Sequence, residues 1–190
     1  MKSIIGLVAP LVLCAATAQA DHDWCRTLFE NTPDIADSAL EVERTEYDAP
    51  GLGFGMRFDY PDPEALSVFF FDADASEVDE ALAEKYFFVG AQDVLRVNKS
   101  LGHRPKDKPR FERIERGDTA ETVVFRMDLY TESDTQPFIN NFLTVHAWGD
   151  CLVKMRLTGT ESDMQAAAQR ASDVFDRLME SLPPLAGNAE

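Results

Sequence analysis

Apolar and polar positions alternate with a period of two along much of this chain and switch to a helical period in two long stretches. Phe54, Met56, Phe58 and Tyr60 share one parity, whereas Gly53, Gly55, Arg57 and Asp59 share the other. That pattern predicts a strand over 53–60, entered by a turn at Pro50-Gly51 and closed by Pro61-Asp62-Pro63. Leu40 to Tyr47 reads as the strand before it. Ser67 to Phe71 is a continuous apolar run, short and aromatic, as expected of a strand covered on both faces. Phe111–Glu115 and Thr122–Tyr130 read as the arms of a hairpin turned at Gly117-Asp118, with Val123, Phe125, Met127 and Leu129 facing one way. Ile139 to Trp148 alternates again, with Leu143, Val145 and Ala147 opposite Phe142, Thr144, His146 and Trp148. Gly149-Asp150 is a hairpin turn signal, and Cys151–Thr158 is the last strand, with Val153, Met155 and Leu157 facing inward.

Three segments read as helices. A short one over Asp23–Asn31 ends at Thr32-Pro33-Asp34. A longer one is predicted from Glu77 towards Val97. It follows the acidic residues Glu77, Asp79 and Glu80, which suit a first turn, and Gly90 weakens it locally. The clearest is C-terminal: Met164, Ala167, Ala168, Ala171, Val174, Phe175, Leu178, Met179 and Leu182 keep the 3.6-residue period. Thr160 or Ser162 can cap its start, and Pro183-Pro184 ends it. Leu101 to Pro109 is a loop. Together these predict an α+β fold: one domain with an antiparallel sheet flanked by helices and a C-terminal amphipathic helix. Residues 21–44 form an N-terminal segment, 45–182 the domain and 183–190 a tail.

The residues Gly51-Leu-Gly-Phe-Gly-Met-Arg-Phe-Asp-Tyr60 come first, then Ser67-Val-Phe-Phe-Phe-Asp72 and a long helix. Phe142-x-Thr144 and Trp148-Gly-Asp-Cys-Leu-Val-Lys-Met-Arg-Leu-Thr158 then precede a closing amphipathic helix. That order resembles the PsbP-like group of secreted small domains, which includes the bacterial DcrB-like periplasmic proteins. The resemblance spans about residues 45–182 and implies an antiparallel sheet flanked by helices. Members of the group are mostly binding or accessory subunits, so it implies no catalytic residues. The chain departs from the pattern in its Cys25 and Cys151 pair and its basic loop.

The N-terminus adds a compartment. Met1-Lys2, the apolar run Ile4–Ala16 and Ala18-Gln19-Ala20 have the layout of a secretory signal peptide cleaved after residue 20. Cys14 invites a lipid-attachment reading, but the preceding Leu13 is larger than such sites use. The expected location is therefore the periplasm, with no transmembrane segment after cleavage. A formal charge of −16 disfavours nucleic acid as a partner. Cys25 and Cys151 then remain, with one intramolecular pairing open to them in an oxidising compartment; two buried free thiols are the alternative.

No constellation announces a reaction. His22, His103 and His146 lack the spacing of a zinc hydrolase. Asp21-His22-Asp23 at a new N-terminus offers only weak metal binding, so no metal or other cofactor is expected. Asp72-Ala-Asp74-Ala-Ser76 resembles the start of a calcium loop but has Glu77 and Ala83 where Gly and Glu are needed. The glycines 51, 53 and 55 sit on a strand rather than at a helix start, so they suggest close backbone approach and not a phosphate cradle. One asymmetry stands out. Eight of the 18 Lys and Arg residues fall between Arg96 and Arg116. Arg104, Lys106, Lys108 and Arg110 in the loop are the candidate partner-binding residues, with local ion pairing as the plainer alternative. The expected role is a non-enzymatic periplasmic binding or accessory protein that docks an envelope protein. A periplasmic immunity protein neutralising a toxin is the alternative, and a hydrolase or metal-dependent enzyme is a weaker third.

Overall fold

The computed structural model describes residues 20–33, 35, 41–49, 51–60, 64–116 and 122–185. The expected signal peptide, the side chains of Asp21-His22-Asp23, Pro61-Asp62-Pro63, the Gly117-Asp118 turn and residues 186–190 lie outside what is described.

Among the described residues three helices and eight strands follow one another: α1 (Ala20–Asn31), β1 (Glu41–Glu46), β2 (Phe54–Asp59), β3 (Ala65–Phe71), α2 (Glu80–Ser100), β4 (Arg104–Pro105), β5 (Arg110–Arg116), β6 (Thr122–Glu132), β7 (Ile139–Trp148), β8 (Cys151–Gly159) and α3 (Met164–Ser181). The strands form one sheet, entirely antiparallel, in the order β1-β2-β3-β8-β7-β6. The long β6 carries two partners on its outer side. β5 pairs with its first half and β4 with its last two residues. The predicted α+β class holds, and the loop expected over 101–109 contains the two-residue β4.

The alternation seen in sequence sorts the side chains onto two faces. Phe54, Met56 and Phe58 of β2, Leu66, Val68 and Phe70 of β3, and Cys151, Val153, Met155 and Leu157 of β8 point to one side. There they meet Cys25 and Leu28 of α1 and Ala167, Ala171, Val174, Phe175 and Leu178 of α3. Phe71, Phe125, Met127, Leu129, Leu143, Val145 and Leu152 point to the other side, where Ala83, Phe87, Ala91 and Val94 of α2 cover them. The sheet is thus the middle of three layers. α1 and α3 lie on one face, and α2 packs mainly on β6 and β7 of the other.

All three helix starts differ from the sequence expectation: α1 begins at Ala20 rather than Asp23, and the other two shift for a shared reason. An aspartate immediately before each of those two takes the capping role. Asp79 accepts a hydrogen bond from the Leu82 amide at 2.8 Å, so α2 begins at Glu80 rather than Glu77. Asp163 accepts from the amides of Gln165 and Ala166, so neither Thr160 nor Ser162 caps α3. An aspartate whose carboxylate reaches the free amides of the first turn is among the strongest caps.

The glycine row also has a local cause. Gly53 has φ +64°, and a Cβ there would lie 2.0 Å from the Phe70 carbonyl oxygen. Only glycine lets this stretch turn so close to β3.

Candidate functional site

Cys25 and Cys151 are joined by a disulfide, with Cα atoms 5.3 Å apart. It ties α1 to the first residue of β8. Trp24 Nε1 donates to the Trp148 carbonyl at 2.7 Å beside it, so α1 is held across the end of the β7–β8 hairpin. Both sulfurs are buried, which places the bridge in the core under α1 and away from any exposed cleft.

The four basic-loop residues divide into two pairs. Arg104 donates to Asp134 at 2.9 Å, and the Lys106 ammonium lies 3.3 Å from Glu132 and 3.9 Å from the Phe138 ring centroid. Those two charges are compensated locally. Lys108 and Arg110 are exposed, and among the described residues neither is within ion-pair distance of a carboxylate. Phe111 follows at once and is 50% exposed; on α2 its neighbour Phe88 is 48% exposed, with ring centroids 6.5 Å apart. Further along β5, Arg113 hydrogen-bonds both Glu80 and Glu115, which together hold its guanidinium above the ordinary arginine value, Glu115 contributing most.

Of the histidines, His146 is fully buried, its ring edge-to-face with Phe175 at 5.7 Å and Trp148 at 6.3 Å. His103 bonds Asn98 at 2.9 Å, within a polar cluster under the end of α2 that also takes in Thr131 and Asn141. The Asp72 carboxylate accepts the Asp74 amide at 2.9 Å and so shapes a turn in which Ala73 and Asp74 both adopt positive φ.

A second site was not foreseen from the sequence. Because α2 lies over β6 and β7, the β1–β3 end of the same sheet face is left open. A groove of about 460 Å³ runs there, lined by Tyr47, Leu52, Phe69, Phe71, Tyr86, Val89, Asp93 and Lys154, among others. Gly55 makes room for one wall, since a Cβ there would press on the Tyr47 ring at 3.1 Å. Phe71 and Tyr86 meet edge-to-face at 5.3 Å. On the floor, the Lys154 ammonium lies 4.3 Å from the Phe69 ring centroid and 5.6 Å from that of Phe71. Burial pushes its pKa below the ordinary lysine value; the nearby Asp93 carboxylate opposes that shift and the Arg156 guanidinium adds to it. Burial likewise lowers Arg156. The only sequence signal for this site was Lys154 and Arg156 two residues apart on the side of β8 opposite Val153 and Met155, a pattern indistinguishable from an ordinary solvent face.

No protein-family model matches the chain, and no curated protein does. Among solved structures it is similar to the cyanobacterial PsbP of Synechocystis sp. PCC 6803, at 15% identity and TM-score 0.41 over 80% of this chain and 95% of that one. It is also similar to a Pseudomonas aeruginosa protein of unknown function, at 11% identity and TM-score 0.35 over 81% and 89% of the two chains. CalU16 of Micromonospora echinospora shows 14% identity and TM-score 0.26 over 76% and 86%.

Proposed function

We propose that this chain is a secreted, non-enzymatic accessory protein of the PsbP-like and DcrB-like kind that docks another protein of the cell envelope. The observation that carries the reading is the pairing of Phe88 and Phe111, two half-exposed aromatic rings, with the cations Lys108 and Arg110, which have no ion-pair partner among the described residues. Aromatic and arginine side chains supply most of the binding energy at protein interfaces. Exposed cations on an otherwise acidic protein select a partner by sign. The fitting partner presents an acidic segment next to an apolar anchor. The Cys25–Cys151 disulfide supports a location outside the cytoplasm, since such bonds persist in oxidising compartments. Cleavage after Ala20 and delivery to the periplasm belong to the same proposal.

Crosslinking and co-purification of tagged protein from its native envelope tests it. The control bait carries Lys108→Glu and Arg110→Glu, both exposed, a pair that breaks no ion pair among the described residues. A partner captured by the parent and lost from the control supports the docking surface. The same partner on both baits, or none on either, contradicts it.

A further inference from the structure

We propose that the groove between α2 and the β1–β3 end of the sheet binds a small organic anion, a carboxylate carried on an aromatic or alkyl body. This goes beyond the docking reading and uses a different surface: the groove opens on the β3 side of α2, whereas Phe88 and Phe111 meet on its β5 side. Two independent observations carry it.

The first is the cavity. About 460 Å³ lies in the range of small-molecule sites. Its walls are mostly apolar, with four aromatic side chains, Tyr47, Phe69, Phe71 and Tyr86. Leu52 and Val89, both about half-exposed, stand at its edge.

The second is the charge at its floor, where Lys154 lines the groove and Arg156 lies two residues further along β8. The antiparallel register sets Lys154 beside Phe69 and Arg156 beside Ser67, so the two cations are neighbours on the same face of β8. Both are partly buried, and the Arg156 guanidinium adds to the cost of charging Lys154. Among the described residues no carboxylate is within ion-pair distance of either. Asp93, the one acid lining the groove among the described residues, is engaged with Arg96 at 2.8 Å. Arg156 keeps one hydrogen bond, to Asn141 at 3.3 Å, while its Nε is buried with no hydrogen-bond partner. Partly buried like charges without a counter-ion are costly in the folded state. An anion entering the groove relieves that cost, and its apolar body replaces water against the aromatic walls. The rings around Lys154 stabilise the ammonium through their faces and supply no negative charge of their own.

Calorimetric titration of the full chain with decanoate and 4-phenylbutanoate, each against its corresponding alcohol, tests the proposal. A hydrogen bond to a charged group contributes enough to favour each acid over its alcohol by about tenfold or more. In Lys154→Met that preference falls to about unity while the alcohol binds as before. Wild-type selectivity decides the matter even should the variant fail to fold. Acids and alcohols bound alike by the wild type, or no saturable binding of any of the four, overturns the proposal. A preference that survives Lys154→Met and Arg156→Met alike overturns it too, because the anion is then held elsewhere. The docking test reads a separate surface, so either reading can fail alone.

Discussion

The two faces of the sheet are built from the same strands by the same alternation, yet they have different fates. On one face α1 and α3 cover β2, β3, β8 and β7, and the inward side chains close into a core bridged by a disulfide. On the other a single helix covers β6 and β7, and the remaining strands keep an aromatic surface open around a lysine. Phe69 and Phe70 show the contrast within one strand: Phe70 is fully buried under α1, and Phe69 lines the groove. Apolar character alone therefore does not decide whether a residue belongs to the core. Helix coverage decides it.

The largest effect that sharpens this contrast is removal of the disulfide. With its ends 126 positions apart in sequence, the chain-entropy estimate is a loss of about 5 kcal/mol, and measured cases fall between about 2 and 5. Urea unfolding of the Cys25→Ala/Cys151→Ala double variant should show such a loss. Wherever that variant stays folded, the groove on the far face should bind as before.

On the open face the sign reverses. Lys154→Met removes a desolvated charge without emptying a packed site, so its melting temperature should equal or exceed that of the parent at neutral pH. The pH dependence follows from the lowered lysine. Between its folded value and the ordinary value of about 10.4, the unfolded chain binds more protons, so parental stability rises with pH. The advantage of the variant should therefore be largest near neutrality and shrink through that alkaline range. A variant less stable than the parent at neutral pH would mean that Lys154 serves the fold.

A smaller effect is expected at the groove rim. Ala73, which lines the groove, has φ 60°, a conformation that costs a side-chain-bearing residue about 1–2 kcal/mol. Ala73→Gly relieves that strain and loses part of the gain to the unfolded chain's greater freedom. A net stabilisation of about 0.5–1 kcal/mol is expected by chemical denaturation.

Strand parity made most of the fold legible. Phe54, Met56 and Phe58 share one face, as do Leu143, Val145 and Ala147, and the run at 67–71 is a strand, as the pattern predicts; it is covered on only one side, because Phe69 and Phe71 face the open groove. The helix starts were less legible, because an aspartate cap at 79 or 163 competes with nearby acids and hydroxyls of similar appearance. The basic run was visible, but its chemistry was not. Asp134 and Glu132 reach Arg104 and Lys106 only because β4 pairs with the end of β6, a contact remote in sequence. The groove was not legible at all. It depends on where α2 comes to rest across the sheet, and no local pattern around Tyr47, Phe69 or Lys154 records that.

The most direct test of the two-face account is a comparison of Phe69→Ala and Phe70→Ala by urea unfolding. The substitution is the same, the residues are adjacent, and only the face differs. Phe70→Ala opens a cavity in a closed core and should cost about 3–5 kcal/mol. Phe69→Ala widens an existing groove, leaves no sealed void, and should cost less than half as much. Equal losses would contradict the account, because the face left open by α2 would then be as much a structural core as the face beneath α1 and α3.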